Sequence, residues 1–339
     1  MSARECFPRG VFTVSVDLEL IWGTLDLFGP EAFRRACEVE REQVFDRLLD
    51  LFAEFDVPAT WAVIGHLFLS ECSPEHGEKH PEIVPPRHSW CRGSWFENDP
   101  CTNEKEAPIF YGRTLVEKIL NCPVRQEIAS HSFSHAVFGD PGCSRETADS
   151  ELRASIDAAR SLGIEMRSFV FPRNDVGHLE RLREHGFTCY RGPQSRWYES
   201  RKVPAMIRRC AHLWDVLTAS EPPVVLPLFD DSGLWNVPAS MVYFPIHGFR
   251  RLIPMSVRVR RAVKGLEAAS RERRIFHLWF HPTNLAEDCD VMVHGLRVIL
   301  EQAAAKRVRG ELDFLPMASL VPSRRGFSPA RLGRRECPS

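Results

Sequence analysis

The sequence lacks a net charge. Its 44 lysines and arginines face 45 aspartates and glutamates, leaving −1 over 339 residues. Nucleic-acid phosphates call for a basic face, so no nucleic-acid partner is expected. No run approaches the roughly 18 apolar residues that span a bilayer, so no transmembrane segment is expected. The first apolar run follows Arg4, Glu5 and Arg9 and is cut by Asp17. It is too short for a signal-peptide core, which points to a cytoplasmic protein. There is no CxxC pair among the eleven cysteines, whose number is odd and spacing irregular. Reduced thiols are the expectation. Cys72, Cys91, Cys101 and Cys122 share one loop-rich stretch that could house zinc. Structural zinc ligands usually come as close pairs, however, so the cysteines are read as bystanders. P-loop, G-x-G-x-x-G and G-x-S-x-G motifs are also missing, which removes support for nucleotide-driven and serine-esterase chemistry.

What is present is alternation. Residues 11–16 (VFTVSV) form a β-branched apolar strand. Helical spacing of Val44, Leu48, Leu51, Phe52 and Phe55 predicts a helix over 31–55, and 59–64 (ATWAVI) a second strand. Strand, helix, strand in about sixty residues suggests a parallel βαβ unit. Residues 70–123 break the rhythm with prolines, four cysteines and the aromatics Trp90, Trp95 and Phe96. A segment this long is a functional loop or an irregular surface insertion. The alternation resumes with strands at 127–130, 168–171, 187–190, 275–280 and 312–315, and helices at 146–162, 176–185, 256–271 and 290–306. The proline-rich stretch 200–254 is ambiguous. Six or seven strands, most followed by helices, favour an α/β barrel or a doubly wound sheet. Residues 322–339 carry five arginines and little apolar material, and read as a basic, solvated, disordered tail.

Three places put proton-transfer or metal-ligating residues at strand ends, where α/β active sites gather. Asp17 and Glu19 close the first strand at i, i+2 spacing, on one face of an extended segment. Such a pair repels unless a cation or a shared proton relieves it; otherwise these are loop carboxylates, one capping a turn. His131 and His135 in HSFSH share a face if the segment is a helical turn, a spacing that suits a zinc-like ion. Two unrelated histidines among thirteen are the alternative. His281 follows an apolar strand directly, with Pro282 fixing the turn. It could shuttle a proton or be a satisfied rim histidine. His277, within the same strand, is read as structural.

Taken together, SVDLE (15–19), ATWAVIG (59–65), EIASHSFSH (127–135), FVFPRN (169–174), GFTCYRG (186–192) and LWFHP (278–282) resemble the polysaccharide deacetylase family with its NodB homology domain, carbohydrate esterase family 4. The resemblance runs from about residue 11 to 317. It implies a single-domain, TIM-like, distorted (β/α)7 barrel over 11–321, with a lead at 1–10 and the insertion at 70–123. It also implies a metal-dependent hydrolase of non-peptide amide bonds. Asp17 matches the general base, and His131 and His135 the metal histidines. His281 matches the acid that protonates the leaving amine. The acidic ligand that usually follows the base falls on Leu18; in members with an acid two positions on, the match is Glu19. The family's Arg-x-Pro-Tyr is altered, since Arg173 follows Pro172. Arg173 and Arg191 are the residues that could orient the base or bind substrate. Asp-x-x-Asp-Trp has no clear counterpart, Trp214 and Asp215 being poor matches.

The implied cofactor is a divalent ion, Zn2+ first, then Co2+, Mn2+ or Ni2+. The implied partner is an N-acylated amino-sugar glycan or precursor. Trp95 and its aromatic neighbours could stack on a sugar ring. A related hydrolase of a formyl group, ureide or other non-sugar amide is the alternative, and an inactive glycan-binding protein a second. Nothing in the sequence indicates the oligomeric state.

Overall fold

The computed structural model describes residues 7–193, 206 and 219–321. The tail, Trp214 and Asp215 lie outside the described residues. The first strand, β1 (Gly10–Leu18), is buried along its whole length. It pairs in parallel with β2 (Thr60–Val63) on one side and with β9 (Ile275–Phe280) on the other. From β2 the parallel ladder continues to β3 (Glu127–Ser130), β4 (Ser168–Val170) and β5 (Cys189–Gly192). A two-residue strand, β6 (Leu228–Phe229), adds an antiparallel edge to β7 (Trp235–Pro238). β7 pairs with β5, and β8 (Met241–Val242), only two residues further on, pairs with β9. Residues 235–242 therefore carry the sheet from β5 back to β9, and the expected seven-membered ring closes. β10 (Leu312–Phe314) pairs with the start of β1.

Both faces of β1 are buried, and its side chains divide between them with a period of two. Phe12, Val14, Val16 and Leu18 join the large cluster shared with the helices. Val11 belongs to a second cluster with Ala62, Ala129, Val170, Cys189, Val237 and Ile275, the small side chains that line the ring. Met317, Leu320 and Val321 plug that interior. Thr13, Ser15 and Asp17 continue the inward register of Val11, so the interior grows polar towards the strand C-termini. The outer layer includes α3 (Phe45–Glu54), α5 (Arg145–Arg160), α7 (Met255–Glu272) and α8 (Cys289–Val308).

Four readings of the chain need correction. The helix expected over 31–55 is α2 (Arg34–Val39) and α3 joined by a π-helical turn, Glu40–Val44. The insertion is not wholly irregular, because α4 (Arg113–Leu120) lies within it and buries Leu115, Val116 and Ile119. A short helix, α1 (Trp22–Phe28), also follows β1 where only a loop was expected. The helix at Leu179–Glu184, α6, is shorter than its pattern suggested.

Candidate active site and metal centre

The predicted residues converge at the C-terminal ends of the strands. Asp17, on the last turn of β1, receives both guanidinium nitrogens of Arg191 from β5, at 2.7 and 2.6 Å. Arg191 is itself fully buried, donates to Ser15 Oγ at 3.0 Å, and lies 4.3 Å over the Trp279 ring. Its second nitrogen also reaches Asn174 Oδ1 at 3.2 Å. Burial alone would raise the Asp17 pKa, but the guanidinium holds it below the usual carboxylate value. Of the two arginines singled out, Arg191 is the one that orients the carboxylate. Arg173, in a left-handed conformation (φ 55°), lies 4.1 Å over the Trp90 ring.

Glu19 is the hub. Its Oε1 lies 2.9 Å from His131 Nε2, 3.4 Å from His135 Nε2 and 3.2 Å from His281 Nε2. His281 Nε2 is also 3.8 Å from Asp17 Oδ2. Against the cost of burial, His281 and the two other histidines hold Glu19 well below its ordinary pKa. The same carboxylates outweigh burial at His281 and lift its pKa to about 9. Gly23 of α1 makes room for the hub, since a Cβ there would meet Glu19 Oε2 at 1.8 Å.

The HSFSH segment is a loop, not the helical turn that its spacing allowed. Ser132 and His135 adopt left-handed backbone, φ 60° and 67°, and that bend is what turns both rings to Glu19. The strain is braced from three sides. Glu151 of α5, buried, accepts from the Phe133 and Ser134 amides at 2.7 and 2.8 Å and from the Ser134 hydroxyl. Gly65 donates to Ser132 O at 2.8 Å, and its bare Cα is required because a Cβ would sit 2.9 Å from Phe133 Cα. From the insertion, Trp95 Nε1 donates to Ser134 Oγ at 2.7 Å.

Glu19, His131 and His135 fit a cation on chemical grounds. His131 Nδ1 faces only a carbonyl acceptor, Val170 O at 2.7 Å, so Nδ1 carries the proton. That leaves Nε2 turned to the Glu19 carboxylate 2.9 Å away, where either a ring proton or a bound cation relieves the carboxylate's charge. Both ring nitrogens of buried His135 lack a hydrogen-bond partner, as a ligand awaiting its ion would.

Two buried residues escape sequence reasoning. Glu151 carries no mark beyond its place on a helix. Glu40, in the π-helical turn, is fully buried with neither carboxylate oxygen hydrogen-bonded. Burial, then the charge of Glu19, raises its pKa to about 8. His277 is structural, as expected: it is buried, bonded to Ser15 Oγ at 2.9 Å and Pro238 O at 3.2 Å, and its pKa falls to about 3 through burial.

Solved structures share this arrangement of strands and helices over nearly the whole chain. A Mycobacterium smegmatis protein assigned as a polysaccharide deacetylase superposes with TM-score 0.61 at 16% identity, over 94% of this chain and 92% of its own. A Pseudomonas aeruginosa protein with the same assignment gives 0.56 at 10% identity, over 91% and 89%. This chain has the polysaccharide deacetylase fold. Within that fold group, the PuuE allantoinase gives TM-score 0.54 at 10% identity, over 91% and 88%. No family model and no curated protein matches the sequence. The distorted-barrel expectation drawn from the motifs is thereby borne out.

Proposed function

We propose that this protein is a metal-dependent hydrolase that removes an N-acyl group, N-acetyl first, from an amino sugar of a glycan or glycan precursor. One observation carries the reading: an arginine-clamped carboxylate, a Glu–His–His trio and a histidine 3.8 Å from the clamped carboxylate meet at one barrel mouth. Glu19, His131 and His135 would hold the ion, Zn2+ before Co2+, Mn2+ or Ni2+. When bound, a divalent ion supplies Lewis-acid polarisation of the amide and makes water more acidic. Asp17, fixed by Arg191, takes the proton of the attacking water. His281 gives a proton to the departing nitrogen, which is a poor leaving group without one. Burial of Asp17 and Arg191 keeps their charges from being screened by solvent.

The polysaccharide deacetylase fold supports a sugar substrate, and Trp90 and Trp95 beside the site suit a sugar ring. The allantoinase with this fold supports the second reading, a ureide or another small amide. No helix among the described residues is long and apolar enough to cross a membrane. We place the protein in the cytoplasm, acting on a nucleotide- or lipid-linked or oligosaccharide precursor.

The test is release of free amine from a panel of N-acyl sugars and of ammonia or amine from ureides, with and without chelator. Chelator-sensitive release from the sugars alone is expected. Turnover that survives complete removal of metal, or is confined to ureides, would reject the sugar deacetylase. Asp17→Asn should keep its metal and lose turnover by about 10²–10⁴-fold. An Asp17→Asn protein as active as the parent removes Asp17 as the base.

A further inference from the structure

The insertion and the turn that leads into it carry a second group of metal-ligating side chains that the proposed reaction does not use. His66 follows β2, and Cys72, His80 and Asp99 come from the loops beyond it. One ligand atom from each lies within 4.8 Å of all the others. His66, His80 and Asp99 are buried, and Cys72 is half-buried. His66 Nε2 is 3.8 Å from Cys72 Sγ and 3.5 Å from Asp99 Oδ2, and His80 Nε2 is 2.8 Å from the same oxygen.

Ligand bonds of about 2.0–2.3 Å in a tetrahedron put neighbouring ligand atoms about 3.3–3.8 Å apart. Two of the three distances already match, and the third is a hydrogen bond that an ion would replace by opening it about 0.5 Å.

We propose that His66 Nε2, Cys72 Sγ, His80 Nε2 and Asp99 Oδ2 form a second metal site, built for zinc, that staples the insertion to the turn after β2, against which the loop carrying His131 and His135 packs. One thiolate, two imidazoles and one carboxylate make a borderline-soft set that favours zinc over calcium or magnesium. The outer contacts are those of a built site. His66 Nδ1 donates to Phe110 O at 3.1 Å, which leaves Nε2 turned inward to serve as the ligand atom. His80 Nδ1 faces Glu82 Oε1 at 3.3 Å, a carboxylate behind a histidine ligand. Asp99 Oδ1 is occupied by the Cys101 amide at 2.9 Å, leaving Oδ2 for the ion. Tyr111 Oη and Cys101 Sγ lie 3.2 and 3.0 Å from Cys72 Sγ, placed to hydrogen-bond a thiolate. His80 and Cys101 hold left-handed backbone, φ 51° and 47°, at these positions.

The site sits directly behind the HSFSH loop. Phe133 packs 5.8 Å from the His66 ring and 5.3 Å from the His80 ring, and the His66 amide donates to Phe133 O at 2.9 Å. Residues 70–112 contain almost no regular structure that could hold them in place, and an ion supplies the missing cross-link. Binding leaves Cys72 a thiolate and both rings neutral; every proton so displaced, including the one shared by His80 and Asp99, goes to solvent, with no change of oxidation state.

Only this site offers a thiolate, so cobalt separates it from Glu19, His131 and His135. The full chain, purified under reducing conditions, is analysed for zinc and then reloaded with Co2+. Two zinc ions per chain are expected, and one in His131→Ala/His135→Ala. A sulfur-to-cobalt charge-transfer band should appear in the parent and in that double variant. It should vanish in Cys72→Ala and persist in Cys101→Ser. A folded double variant without metal, or cobalt-loaded protein without the band, would overturn the site. So would a Cys72–Cys101 disulfide in place of the ion. If Cys72→Ala does not fold, Asp99→Asn must still lose one zinc. A parent with one zinc and a full band rejects the catalytic centre and supports this site.

Discussion

Against burial, Arg191 holds the Asp17 pKa below its ordinary value, whereas the carboxylates of Glu19 and Asp17 lift that of His281; at each group the charged neighbours outweigh desolvation. In metal-free protein His281 titrates at about 9, above its ordinary 6.5. A cation on Glu19 removes most of the negative charge behind that rise, so the His281 pKa must fall when metal binds. Its ring-proton NMR titration with and without Zn2+ measures this, and an unchanged midpoint would separate His281 from the metal centre. Asp17, His281 and the Glu–His–His trio are legible in the sequence because they lie at or just beyond the ends of strands. Arg191 is legible only as one of two arginines, since nothing linear says which one reaches Asp17. Glu40 is not legible at all. It stands between Glu38 and Arg41–Glu42 on what reads as a charged helix face, and only the packed helix shows that it is buried.

At the scale of elements, the π-helical turn at Glu40–Val44 explains that burial, since an extra residue in one turn rotates Glu40 inward. A carboxyl with a folded pKa of about 8 keeps a proton that the unfolded chain sheds near 4.5. Its contribution to stability is therefore full below 4.5 and lost as pH rises through 8. Between pH 5 and 8, metal-free parent should lose on the order of a few kcal/mol more stability than Glu40→Gln. Thermal or urea melts at the two pH values decide it, and equal losses would show that Glu40 is ionised in the fold. The HSFSH loop depends likewise on α5. Glu151→Ala strands the Phe133 and Ser134 amides without an acceptor and should cost about 2–4 kcal/mol. Zinc affinity should drop with it, measured by competition against a chromophoric chelator. The strands were readable because both faces of a barrel strand are covered. The left-handed turns at Ser132 and His135 were not, because no glycine or asparagine marks them.

At the scale of the whole molecule, the ring is seven strands wide, but its members are unequal. β1 and β9 share six paired positions, from Val11–Ile275 to Val16–Phe280, whereas the return from β5 to β9 rests on the short strands β7 and β8. This return was hidden in the sequence because a proline-rich stretch with strands of four and two residues carries no periodicity. The barrel therefore has a seam. Amide protons of 235–242 should exchange with deuterium well before those of β1 and β9, and uniform protection would deny it. The seam runs beside β9, which leads directly into His281, so local opening displaces His281 before Glu19, which follows β1, or His131 and His135, which follow β3. If the trio holds metal and His281 delivers the proton, as proposed, warming should cost turnover before it costs metal.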